Sequence, residues 1–351
     1  MKNTKLLLTL FVFLTFVFAC KKDDPETGRY EKGVIIVNEG PFQTGTGTIT
    51  HFDPATKTVS NDIFGDANGG AILGNIAQSI AYHQDKAYIV VNNANKIMIA
   101  EAGTMKYLGE IGDLALPRYF LPVSDTRAWV SLWGANGIDG AVAQIDLSSN
   151  KVLQTIPVGK GPEELFLDGN KLYVPLSGGF DRDKRIIVLD ATNGNLLKSI
   201  QTPADNPTAM VRDVQGNHWC LCKGYFDFIT PANSTLGTLF QLKNDVVQAI
   251  LLPVATGTGR IAINPEGNNI YYSSSSDIRR ININGVPILQ EIFARKSGYS
   301  LAVNPQNGQV YAGDPIDYTG NGLVRVFNTG GIQQDSFRCG IIPTYITFRN
   351  E

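Results

Sequence analysis

One pattern recurs along the chain and restricts its fold more than any other feature. Around residue 170 it reads GNKLYVPLSGG, then RIIVLDATNGNLLKSI, then NPTAMVRD. Four strand-like runs rich in Val, Ile, Leu and Tyr are separated by Gly, Asn and Asp turns. We label them B, C, D and A in that order. The B runs fall at 34–38, 87–92, 128–132, 172–176, 219–223, 270–274 and 310–313. The C runs follow at 48–52, 96–100, 141–146, 185–190, 238–242, 278–283 and 323–327. The D runs recur around Asn61, Gly109, Gln154, Lys198, Leu251, Glu291 and Phe337. The A runs lie at 77–82, 119–123, 164–167, 209–214, 260–264, 300–304 and 344–348.

Each set has seven members, spaced by roughly 45 residues, and four strands at that period make one blade of a propeller. Separate sandwich domains would not hold one pattern in phase seven times. The series opens on a B run and closes on an A run, so 344–348 is expected to complete the first blade. The fold class is therefore all-β: a seven-bladed β-propeller of four-stranded blades over residues 33–351, closed by its C-terminal strand. The composition agrees, with 43% hydrophobic residues to fill a core and 36 glycines for turns.

The first segment is of another kind. In MKNTKLLLTLFVFLTFVFAC, Lys2 and Lys5 precede an apolar run over 6–18 that is short for a membrane span. Residues 1–19 read as a lipoprotein signal peptide and Cys20 as the lipidated residue, with residues 20–32 forming the lipidated Cys and a polar tether. The Val17-Phe18-Ala19-Cys20 stretch resembles a bacterial lipobox, with Phe18 bulkier than usual there. Attachment is expected through the lipid anchor only. The net charge is −2 with no basic block, which argues against nucleic acid as a partner. With Cys20 lipidated, three cysteines remain, and an odd number implies no disulfide framework.

Units such as GNKLYVPLSG and IIVLDATNGNLLKSI resemble the YVTN-type propeller repeats of exported bacterial proteins. The opening unit, GVIIVNEGPFQTGTGTITHFDPATKTVSNDIF with AQSI downstream, is similar to lipoproteins of Bacteroidetes. These include surface propellers that capture vitamin B12 for a TonB-dependent outer-membrane transporter. Lys21-Lys22-Asp23-Asp24 also resembles the signal that sends such lipoproteins to the outer face of the outer membrane. The resemblance implies an outer-membrane location facing the cell exterior, a small-molecule ligand such as a corrinoid, and a TonB-dependent transporter as partner.

Strand order fixes which loops share a face. The A–B turns, such as HQDK, SDTR and DGNK, are short and lie on one face. The B–C loops lie on the other and are longer, at 39–47, 133–140, 178–184, 224–237 and 314–322, joined by the D–A loop at 64–75. Insertions gathered on one face of a rigid scaffold mark where binding is expected. Aromatic rings with polar tips and amides suit a large, uncharged ligand rich in hydrogen-bonding groups. The expected ligand-binding residues are Phe42, Gln78, Asn93, Arg118, Tyr119, Trp133, Asn136, Phe180, Tyr225, Phe226, Tyr299, Tyr318 and Tyr345.

Signs of catalysis are sparse. There is no G-x-S-x-G, no H-E-x-x-H and no phosphate-binding glycine loop, and only three histidines are present. The long loops do carry Glu39, Asp139, Asp181, Asp183, Asp227, Asp314 and Asp317, which leaves open a hydrolase or lyase acting on a glycan or lactone. A non-catalytic protein- or glycan-binding module is a further alternative. No catalytic residue, metal or cofactor is assigned, and the expectation is a non-enzymatic binding protein. The stretch HWCLC at 218–222 looks like a metal motif. The repeat instead puts Cys220 in the core column of Tyr88, Trp129, Tyr173, Tyr271 and Tyr311.

Overall fold

The computed structural model describes residues 28–42, 44–255, 259–296 and 298–350. The signal peptide expected over 1–19, the lipid acceptor Cys20 and the tether as far as residue 27 lie outside them. The described strands form seven four-stranded antiparallel sheets, one per blade. Blade two shows the unit: A at Ala77–His83, B at Lys86–Val91, C at Lys96–Glu101 and D at Tyr107–Ile111. In blade one the innermost strand is Pro343–Asn350, paired in register from Lys32↔Asn350 to Asn38↔Pro343 with the first strand, Lys32–Asn38. The C-terminal strand thus closes the ring, as the repeat predicts.

The inner strands explain why B and C runs read as nearly unbroken apolar segments. Each sheet is covered on both faces by its neighbours, so both side-chain sets of a strand are buried. Tyr88, Val90, Ile97 and Ile99 of blade two pack against Phe120, Val130, Ala143 and Ile145 of blade three. The D strands lie at the rim, and Leu196, Leu197 and Lys198 of blade four are exposed. Hydrogen bonds tie neighbouring A strands together. Ser79 Oγ donates to Arg118 O at 2.8 Å, Thr208 Oγ1 to Gly259 O at 2.7 Å, and Ser300 Oγ to Pro343 O at 2.8 Å.

The core column holds as expected: Tyr88, Trp129, Tyr173, Tyr271, Tyr311 and Cys220 are all fully buried. Cys220 and Cys222 pack among Tyr173, Val188, Phe240 and Leu242, where a thiol acts as a small hydrophobe. His218 packs edge-on against Phe166 and Tyr173 and pairs with Asp168 at 2.9 Å. Its partner is a carboxylate of the neighbouring blade, and the two thiols face the core.

Two segments are more ordered than their composition suggests. The expected tether is folded from Gly28 onward: Tyr30 is buried in the core and its N–H donates to Gly103 O at 2.9 Å. The D–A loop expected over 64–75 begins as a short helix, Ile63–Ala67, capped by the Asp62 side chain. Ile63 and Phe64 drive it into the core beneath blades one and two, and Asn68 holds its end through Phe64 O and Met105 O. Among the described residues, no helix is long and apolar enough to cross a membrane.

Candidate functional site at the mouth of the channel

Every A strand begins on the long-loop face, beside the axis of the ring. The repeat places one residue per blade there: Gln78, Arg118, Glu163, Thr208, Arg260, Tyr299 and Thr344. Three residues leaving B strands, Glu39, Trp133 and Lys223, complete the rim. All but Thr344 line one cup of about 180 Å³ together with Gly259.

The cup is held by contacts between blades. Arg118 donates to Glu163 Oε1 through Nη2 at 2.9 Å and Nε at 3.2 Å, and through Nη1 to Gln78. Its guanidinium also sits over the Trp133 ring, 4.2 Å from the centroid, which is attractive geometry for a cation on an aromatic face. Arg260 reaches across the axis: Nη1 donates to the Tyr119 hydroxyl at 2.5 Å and Nη2 to Thr344 Oγ1 at 3.4 Å. Arg260 also lines a second cavity of about 320 Å³ with Glu164, Tyr345 and the inner strands of blades six, seven and one. It therefore forms the floor between an upper cup and a lower chamber. Tyr299 Oη donates to Glu39 at 3.1 Å, linking blades seven and one.

Electrostatics follow from enclosure. Burial pushes the Tyr119 hydroxyl up to about 12, against the lowering effect of Arg260, so it stays neutral. Burial likewise raises Glu164, with Arg260 opposing. Burial lowers Lys223, helped by Arg118 and Arg260 and opposed by Glu163. Among the described residues Lys223 Nζ has no hydrogen-bond or ion-pair partner.

The expected ligand-binding residues separate into groups. Arg118, Trp133, Gln78 and Tyr299 meet in the cup. Phe180 extends it outward, edge-on to Trp133 at 5.6 Å, and Tyr318 stands edge-on to Tyr299 at 6.0 Å. Tyr119 and Tyr345 lie deeper, 6.1 Å apart edge-on, with Tyr345 lining the lower chamber. Tyr225 lies under the Arg182 guanidinium at 4.4 Å, at the base of the 224–237 loop, while Phe226 packs on Phe228 toward its exposed tip. Phe42 is exposed on its own loop. The amides Asn93 and Asn136 donate to Asn75 at 2.8 Å and Asp139 at 2.6 Å, while the buried Asn38 and Asn92 are bonded to Thr50 and to Pro117 O.

The loop carboxylates are largely engaged in local structure. Asp183 takes a fork from Arg185 at 2.8 and 2.6 Å, and Asp314 accepts from Arg325 at 2.7 Å. The Lys160 ammonium holds Asp181 below the usual carboxylate range. Backbone N–H groups do the same for Asp227 and Asp317, which close their own turns. Among the described residues, no three His, Cys, Asp or Glu side chains gather closely enough to hold a metal ion.

Glu39, Glu163, Thr208, Lys223 and Arg260 belong to the cup and were not among the expected ligand residues. Four of the five were nonetheless marked by position: Glu163, Thr208 and Arg260 share the register of Gln78 and Arg118, and Lys223 leaves its B strand one place after Cys222.

Solved structures similar to this chain share its fold. A quinonprotein alcohol dehydrogenase-like protein from Bacteroides thetaiotaomicron is 17% identical with a TM-score of 0.67, over 92% of this chain and 79% of that one. Hydrazine synthase from Kuenenia stuttgartiensis is 13% identical with a TM-score of 0.63, over 91% and 99%. A Bacteroides fragilis protein provisionally named 6-phosphogluconolactonase is 13% identical with a TM-score of 0.63, over 93% and 99%. At these identities the likeness concerns the fold alone. No functionally curated protein matches the sequence. A family model does, over residues 32–325, and the chain belongs to that family, a domain of unknown function designated DUF5074.

Proposed function

We propose that the protein is a ligand-capture propeller, with its ligand held across the long-loop face around the central cup. The observation that carries this reading is convergence. The polar ring, its stacked Arg118–Trp133 pair and the aromatic loops all meet on one face. Strand Lys32–Asn38 enters from the opposite, short-turn face. The described chain thus begins on the face opposite the long loops, and with a lipid on Cys20 we infer that the binding face is turned toward the exterior.

A corrinoid is the leading ligand, on the strength of the resemblance of the opening unit to vitamin B12-capturing lipoproteins. A cup of about 180 Å³ falls below the usual range of roughly 300–1,000 Å³ for enclosing a whole ligand. A corrinoid would therefore lie over Trp133, Phe180, Tyr225 and Tyr318 and insert only a side group. Hand-off to a TonB-dependent transporter completes the proposal. Calorimetric titration of the chain lacking residues 1–20 with cyanocobalamin tests the ligand. Saturable one-to-one binding at micromolar concentration or tighter is expected, and no heat at that concentration removes the corrinoid. Turnover of a glycan or lactone by the same preparation would favour the hydrolase or lyase reading instead.

A further inference from the structure

The cup has an imbalance of charge. Its rim carries three cations, Arg118, Lys223 and Arg260, and two carboxylates, Glu39 and Glu163. Both carboxylates are engaged. Glu163 Oε1 takes both Arg118 bonds and lies 3.5 Å from Ser177 Oγ, while Glu39 accepts from Tyr299. Arg260 donates only to uncharged oxygens, those of Tyr119, Thr344 and the Tyr299 backbone. The remaining carboxylate near the axis, Glu164, lines the lower chamber beyond Arg260.

Lys223 is thus a half-buried ammonium that lines a cavity, feels the Glu163 carboxylate only at a distance, and has no hydrogen-bond or ion-pair partner among the described residues. Keeping an ammonium out of water without a partner is unfavourable, and natural interiors usually pair such groups. Thr208 Oγ1, beside it, is already committed to Leu221 O and Gly259 O. The Trp133 Nε1–H is a buried donor without an acceptor among the described residues. The cup therefore offers donors in excess of acceptors and positive charge in excess of negative.

We propose that the cup is an oxyanion site in which a carboxylate or phosphoryl group of a ligand is held by Lys223 Nζ, with Arg118 and Arg260 supplying the field behind it. The volume accommodates one such group and not a large ring. The inference rests on the location given to the ligand above, and does not depend on that ligand being a corrinoid. Trp133 reports on the cup, because the other two tryptophans, Trp129 and Trp219, are fully buried in the blades.

The experiment titrates the purified protein with inorganic phosphate, sulfate and acetate, read by calorimetry and tryptophan fluorescence. Lys223→Met and Lys223→Arg are carried in parallel, with thermal melts to establish folding. Saturable binding of at least one oxyanion is expected, weakened at least tenfold in Lys223→Met and recovered in part in Lys223→Arg. Preference for phosphate and sulfate assigns a phosphoryl group, and preference for acetate a carboxylate. Absence of saturable binding for all three, or equal affinity in wild type and folded Lys223→Met, overturns the proposal. Cyanocobalamin, run alongside, separates the two claims. Oxyanion binding without cobalamin binding leaves the site and removes the corrinoid. Cobalamin binding that is indifferent to Lys223 and accompanied by no oxyanion binding does the reverse.

Discussion

Arg260 donates to the Tyr119 hydroxyl at 2.5 Å from the opposite side of the ring, joining blade six to blade three across 141 positions of sequence. That bond separates the upper cup from the lower chamber. Replacing Arg260 by Leu leaves the Tyr119 hydroxyl without its donor and merges two cavities. A buried polar group stripped of its partner costs about 1–3 kcal/mol. Arg260→Leu is expected to lose stability in that range by urea denaturation, whereas Tyr119→Phe with Arg260 intact leaves the fold in place. An Arg260→Leu midpoint equal to wild type would contradict the bridging role.

Closure by the last strand makes a second prediction. Deleting residues 343–351 removes the inner partner of Lys32–Asn38 and uncovers Val34, Ile35, Ile36 and Val37, all fully buried in the intact ring. An exposed apolar edge pairs with other chains. The truncated protein is expected to aggregate or fail to fold, as read by size-exclusion chromatography and thermal melting. A soluble monomer with an unchanged melt would show that the ring does not depend on this strand.

His51 makes the fold sensitive to acid. Its Nε2 lies 2.7 Å from Lys32 O at the start of the first strand, and burial lowers its pKa below the ordinary 6.5. The unfolded chain therefore binds the proton more readily than the folded one. The stabilising contribution is complete above about pH 6.5 and is lost as pH falls below it toward the lowered folded value. Denaturation midpoints are expected to drop between pH 7 and pH 5 by less in His51→Gln than in wild type. Equal drops would remove His51 as a cause.

The fold was legible because propeller chemistry repeats. Turn residues such as those of HQDK and DGNK recur, and the core column of Tyr88, Trp129 and Tyr173 recurs with them. The same register explained Cys220 and Cys222, whose thiols replace bulkier fillers in a strand buried on both faces. The site was legible only in part. Positions at the A-strand starts are Gln, Arg, Glu, Thr, Arg, Tyr and Thr, so the register is constant while the chemistry differs in nearly every blade. Arg118 and Gln78 were expected in the site because A strands begin near the central channel on the long-loop face. Arg260 and Glu163 share that register and were passed over, and their contacts with Tyr119 and Arg118 cross between blades. Tyr119 and Tyr345 sit one place further along their strands, where Tyr119 accepts the Arg260 bond and Tyr345 lines the lower chamber. Composition also hid the buried helix Ile63–Ala67 inside a glycine-rich stretch, because two residues, Ile63 and Phe64, decide its packing.

The central claim is that ligand is held on the long-loop face. Cyanocobalamin affinity measured by calorimetry in two folded variants tests it most directly. Trp133→Ala combined with Tyr225→Ala alters that face, and Val214→Ser alters an exposed turn on the opposite one. The account predicts at least tenfold weaker binding in the double variant and wild-type affinity in Val214→Ser. Wild-type affinity in the double variant, or a loss confined to Val214→Ser, would contradict it.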